Sequence, residues 1–171
     1  MGRPAAERFD SVIRTPDQRL RVFVSSTLRE LADERVAVAQ AISALRLTPV
    51  MFEQGARPHP PQAVYRAYLA QSDIFVGLYW QEYGWIGTGM EISGLEDEFD
   101  LARPLPRLVY VKDPAPDRDP RLTELLAHIR EAAPASYRPF RDSAELGRMV
   151  SHDLATLLSE RFAAGRPASV D

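Results

Sequence analysis

The chain has 171 residues, no cysteine, 45% hydrophobic and 26% charged residues, and a formal net charge of −3. That length suits one domain able to bury roughly two-thirds of its unfolded surface. The composition excludes a disulfide framework, a thiolate metal site and a cysteine nucleophile, and scattered Lys and Arg residues offer no basic stripe to nucleic acid.

Residues 1–18 are polar, carry two prolines and show no period, so they read as a flexible leader. They lack the apolar core of a signal peptide, and no apolar run is long enough to span a bilayer. The expectation is a cytoplasmic protein with neither a membrane nor a nucleic-acid partner. One domain is expected over 19–162, with 163–171 as a linker or truncated tail.

Leu20 to Val24 reads as the first strand and runs into Ser25-Ser26-Thr27. Thr27 with Glu30 has the spacing of a capping box and predicts a helix to about Arg46. Leu28, Leu31, Val38, Ile42 and Leu45 form its apolar stripe. A second strand is expected over Leu47 to Phe52, then a proline-rich loop over 56–61 and a helix from about Gln62 to Gln71. Ile74 to Trp80 is apolar throughout, the pattern of a strand buried on both faces. Ser93 with Glu96 predicts a second capping box, on a helix to Arg103 that Pro104 and Pro106 stop. Leu108 to Val111 is the fourth strand, Leu122 to Ile129 a helix, Ser136 to Phe140 a short edge strand, and Ala144 to Phe162 a last amphipathic helix.

Alternating strands and helices imply right-handed crossovers and a mostly parallel sheet. The expected fold is an α/β, flavodoxin-like and TIR-like three-layer sandwich with five strands in the order 2-1-3-4-5. Ligands of such sheets bind at the carboxyl ends of the strands where the order reverses. Here that crevice lies between Ser25, Ser26 and Thr27 on one side and residues 79–98 on the other.

Three acids follow the third strand. Glu96 is expected to cap the Ser93 amide, and Asp97 to point to solvent. Glu98 flanks the stripe Leu95, Phe99 and Ala102, and is expected half-buried at the crevice mouth. A half-buried carboxylate needs a partner or pays a desolvation penalty. Glu98 is therefore either a nucleophile or charge stabiliser for an oxocarbenium-like sugar centre, or one half of a structural ion pair. Arg35 interrupts the apolar stripe of its helix; Asp73, Glu98 or strand-end carbonyls are its candidate acceptors, and a snorkelling side chain is the alternative. Ser25 and Ser26 suit an anion if they sit at a helix start. Tyr79, Trp80, Tyr83 and Trp85, interleaved with glycines, form an aromatic loop suited to a nucleobase or to a protein partner. His59, His128 and His152 make no metal or triad pattern.

Val22-Phe-Val-Ser-Ser-Thr-Leu-Arg-Glu-Leu-Ala-Asp-Glu-Arg35, Ser72-Asp-Ile-Phe-Val-Gly-Leu-Tyr79, Tyr83-Gly-Trp85 and Ser93-x-x-Glu-x-Glu98-Phe99 resemble the ordered motifs of the family described as domain of unknown function 4062. Leu95 stands where members often carry Thr. The family is similar in arrangement to Toll/interleukin-1 receptor (TIR) domains and nucleoside deoxyribosyltransferases. The resemblance implies a TIR-like signalling module that self-associates or binds a protein partner, as the first domain of a larger ATPase or repeat protein. It also implies an alternative, a glycohydrolase or transferase acting on NAD(P) or a nucleoside. That reading needs no further cofactor or metal, and makes Glu98 the catalytic group. Ser25, Ser26 and Thr27 would lie near the ribose or phosphates. Glu98-Phe-Asp-Leu-Ala102 aligns with the Glu-x-Gly-x-Ala segment of the deoxyribosyltransferases, with Asp100 where that segment has Gly.

Overall fold

The structure, a computed structural model, describes residues 15–52, 56–132 and 137–166. Five parallel strands form one sheet in the order β2-β1-β3-β4-β5. They are β1 (Arg21–Ser25), β2 (Thr48–Met51), β3 (Ile74–Tyr79), β4 (Arg107–Lys112) and β5 (Tyr137–Phe140). Between them run α1 (Ala32–Ala44), α2 (Pro61–Ala70), α3 (Gly94–Leu101) and α4 (Pro120–Ala132), and α5 (Ser143–Ala164) follows the last strand. This is a flavodoxin-like α/β fold. Most of the leader, most of the tail and Ser136 lie outside the described residues, and α5 continues past the expected end at Phe162.

The sheet alternation sorts side chains into two cores. Val22, Val24, Ile74, Val76, Leu78 and Tyr110 face α1 and α5, whose Leu31, Val38, Ile42, Leu146, Val150 and Leu154 are buried against them. Phe23, Phe75, Tyr79, Val109 and Val111 face α2, α3 and α4 through Tyr65, Leu69, Leu95, Phe99, Leu122 and Ile129. All six residues of β3 are buried, as its unbroken apolar run requires. No helix among the described residues is long and apolar enough to cross a membrane.

One close approach in β3 fixes a buried ring beside the first strand. The Tyr79 ring folds back over Gly77, so a Cβ there would lie 2.8 Å from both Tyr79 Cε2 and Oη, and 3.1 Å from Phe75. Gly77 is the strand partner of Ser25, so Tyr79 Oη reaches the same sheet face as the Ser25 side chain. In Gly77→Ala the buried ring has nowhere to move. Unfolding in urea is expected to show a loss of about 1–3 kcal/mol, the usual cost of overpacking a core. A variant as stable as the parent would mean that the ring does not occupy this position.

Candidate functional site

The carboxyl ends of β1 and β3 open into a cleft of about 1120 Å³, at the point where the strand order reverses. Its floor is the Glu98 carboxyl. α3 begins at Ser93, whose Oγ accepts the Glu96 N–H at 3.3 Å, and the helix turns Leu95, Glu98 and Phe99 inward. Glu98 is 7% exposed, so it lies on the cleft floor rather than half-open at the mouth. Ser25 Oγ, at the end of β1, donates a hydrogen bond to Glu98 Oε2. Burial pushes the carboxyl up to about 8; the Ser25 hydrogen bond pulls it down, the Asp97 charge pushes it up and the Arg35 charge pulls it down.

Arg35 is buried, not snorkelling. It donates from Nη1 to Ser26 Oγ at 2.8 Å and from Nη2 to the Phe52 carbonyl at 3.0 Å, bracing the loop after β1 against the end of β2. The Phe52 carbonyl is one of the expected strand-end acceptors, and the Ser26 hydroxyl is an acceptor that was not expected. Asp73 is not its partner. That carboxylate accepts the Arg21 amide at 2.8 Å, at the opposite end of β1 from Arg35.

Both capping boxes are corrected. α1 starts at Ala32 with Leu31 as its cap and no side-chain cap bond. Thr27 Oγ1 donates to Glu30 Oε1 at 2.9 Å, and the Glu30 carboxylate accepts the amides of Gln81 and Glu82 at 3.0–3.4 Å. Glu30 therefore ties the loop after β1 to the loop after β3 instead of closing a helix end. At α3 the Ser93 cap forms, but Tyr83 Oη intervenes in the reciprocal bond: it accepts the Ser93 N–H at 3.2 Å and donates to Glu96 Oε2. Asp97 does not face water. It accepts Tyr65 Oη at 2.6 Å and pairs with Arg66 at 3.0 Å, joining α2 to α3.

The expected ligand residues divide. Ser26, Thr27, Tyr83 and Trp85 line the cleft, whereas Ser25 lies beneath it against Glu98. Tyr83 is buried, with the Arg121 guanidinium 4.8 Å from its ring centre, and forms a wall of the cleft. Trp85 is 56% exposed at the rim. Tyr79 belongs to the core above Gly77. Trp80 faces the α1/α5 layer, where its indole N–H donates to the Pro114 carbonyl at 2.8 Å and Lys112 Nζ sits 4.1 Å from the ring centre. The period-2 alternation along β3 separates these two neighbours.

Sequence reasoning gave Glu30 only a capping role and did not bring Tyr65 or the loop after β4 to the cleft. Asp117, Arg118 and Asp119 of that loop line the cleft. Arg118 donates to the Trp80 and Lys112 carbonyls, and the amides of Asp117 and Asp119 are held by Gln81. Strand order was the available signal, because β4 beside β3 brings this loop to the crevice. Among the described residues no cluster of His, Asp or Glu could hold a metal ion.

Fold and cleft together define a flavodoxin-like α/β domain with a buried carboxyl at its switch point. The family model described as Domain of unknown function (DUF4062) matches residues 21–155, and the chain belongs to that family. Among solved structures it is similar to the TIR domains of the activated Roq1 resistosome directly recognizing the pathogen effector XopQ. Identity there is 12% and the TM-score 0.45, over 81% of this chain and 84% of that one. It is also similar to diflavin flavoprotein A3 from Nostoc sp., at 12% identity and a TM-score of 0.43, over 81% and 96% of the two chains. No curated protein matches the chain.

The Glu98 proton has a consequence for stability. Folding lifts this carboxyl from an ordinary 4.5 to about 8, so between those values the folded protein holds a proton that the unfolded chain has released. Its contribution to stability is therefore complete below pH 4.5, declines as pH rises through the window, and is fully lost above about 8. Glu98→Gln keeps the shape and removes the titration. Urea unfolding should find the variant more stable than the parent at pH 8.5, by at least about 1 kcal/mol relative to their difference at pH 5. Parallel pH profiles would show that Glu98 titrates normally.

Proposed function

We propose that this TIR-like domain cleaves an N-glycosidic bond of a nucleoside or nucleotide such as NAD, with Glu98 at the anomeric carbon. The observation that carries this reading is the single carboxyl on the floor of the cleft, held by Ser25 in a site that burial makes poor at keeping it ionised. Breaking the C1′–N bond sends its electron pair to the departing base and leaves positive charge on the sugar. The Glu98 carboxylate meets that charge. Water then adds to C1′ and loses a proton, completing hydrolysis. A pyridinium base departs neutral and needs no acid. The gain is differential: an anion costly in the empty cleft is stabilised when a cationic sugar forms against it. Trp85 at the rim supplies a face for a base, and Tyr83 a wall beside it.

The test is chromatographic detection of released base after incubation with NAD, nicotinamide riboside and the common nucleosides. The parent domain should release base, and Glu98→Gln should lose at least about 100-fold of that rate. For a cationic substrate, kcat/KM should climb with pH and level off above about 8, because the ionised form of the free protein is the active one. Absence of release from every substrate, at any protein concentration, ends this reading.

A second reading rests on a different observation, the 56% exposure of Trp85. A large aromatic held outward by a braced loop also suits a protein partner or a second copy of the chain, as in a signalling module. Trp85→Ser would then lower self-association in sedimentation velocity while the fold stays intact. Under the glycosidic reading alone, the same change raises KM and leaves the oligomeric state untouched.

A further inference from the structure

Tyr79 carries the one buried side-chain polar atom among the described residues that makes no hydrogen bond, its Oη. A buried hydroxyl without a partner is costly, and phenylalanine would fill the same space at no such cost. The hydroxyl is also tightly accommodated. It lies where a Gly77 side chain would be, 2.8 Å from the position of a Cβ, so the strand gives up a side chain to admit it. Gly77 is paired with Ser25, and Ser25 Oγ spends its proton on Glu98. A serine hydroxyl has one proton to give and two lone pairs to accept with. Ser25 therefore retains acceptor capacity on the sheet face that Tyr79 Oη occupies.

We propose that Tyr79 is the outer member of a buried hydroxyl relay, Tyr79 to Ser25 to Glu98, that steadies the carboxylate on the cleft floor. The proposal rests on reading Glu98 as the working carboxyl of the cleft. In the structure the relay is slack at its outer end, where Tyr79 Oη makes no hydrogen bond. When the carboxyl ionises, the Ser25 bond to it strengthens. The more polarised Ser25 oxygen becomes a better acceptor and draws in the Tyr79 proton; chained hydrogen bonds reinforce one another in this way. No proton changes owner, so Tyr79 and Ser25 are positioning residues. The other groups facing Glu98 are Arg35 from α1, Asp97 on its own helix and Tyr65 from α2. None of them touches Tyr79 Oη, which lies beside Ser25 and feels the charges of Glu98, Arg107 and Asp100.

The experiment is a carboxyl-carbon NMR titration of Glu98 in the full chain, in the parent and in Tyr79→Phe, Ser25→Ala and the double variant. Tyr79→Phe removes only an atom with no hydrogen bond, so the ring still covers Gly77. The relay predicts a Glu98 midpoint raised by about half a pH unit or more in Tyr79→Phe. Ser25→Ala should raise it further, and the double variant should match Ser25→Ala, since Tyr79 acts only through Ser25. A Tyr79→Phe titration that superimposes on the parent's overturns the proposal. So does a double variant whose shift is the sum of the two singles. If the titrations behave as predicted while the parent releases no base, the relay stands and the glycosidic reading falls. If Glu98→Gln abolishes base release and Tyr79→Phe leaves the titration unmoved, the reading stands and the relay falls.

Discussion

The contact between Ser25 Oγ and the Glu98 carboxyl joins the end of β1 to α3 inside the layer built by α2, α3 and α4. A carboxyl at 7% exposure is tolerable there only because it meets a hydroxyl donor and holds a proton through neutral pH. Both conditions depend on topology. β1 and β3 must be neighbours for α3, which follows β3, to lie over Ser25. The cleft above that contact is what remains when loops diverge from a sheet whose order reverses at β1 and β3.

Its walls are set by side chains that bond to backbone. Glu30 holds the amides of Gln81 and Glu82, Tyr83 bridges Ser93 to Glu96, and Arg118 grips the carbonyls of Trp80 and Lys112. Each ties a loop at the carboxyl edge to the element beside it. The result is a space of stable shape with one large side chain, Trp85, left open to solvent. Such a site can position a ligand without first ordering its own loops, which removes one cost of binding.

The element order and sheet topology were legible because they rest on periodicity and on the right-handed crossover, both local or nearly so. Position 98 was legible for the same reason, since helical spacing placed it beside Leu95 and Phe99. The partnerships of the acids were not. Ser/Thr-x-x-Glu has a favoured local use, yet at Thr27 and again at Ser93 a long-range partner captured the carboxylate, through the amides of residues 81 and 82 or the Tyr83 hydroxyl. Capping contributes about 1 kcal/mol, so a tertiary contact of similar strength outcompetes it. Adjacency to Tyr79 suggests the cleft for Trp80, although strand alternation sends neighbours to opposite faces. Charge alone suggests pairing Asp73 with Arg35, although the two lie at opposite ends of β1.

Asp100 marks where the resemblance to deoxyribosyltransferases departs, in the segment Glu98-Phe-Asp-Leu-Ala102. A glycine there would matter to a substrate only if that position faced the site. Two residues along an α-helix is a turn of about 200°, so with Glu98 directed at the floor, residue 100 points away from it. Asp100 is absent from the cleft lining, and its charge acts instead on Arg107 and Tyr79. The residues that do approach the cleft from α3 are Gly94, Leu95 and Glu98. Close approach along this helix is therefore governed by its first turn, where Gly94 presents no side chain, and the carboxylate at residue 100 leaves the space above Glu98 open.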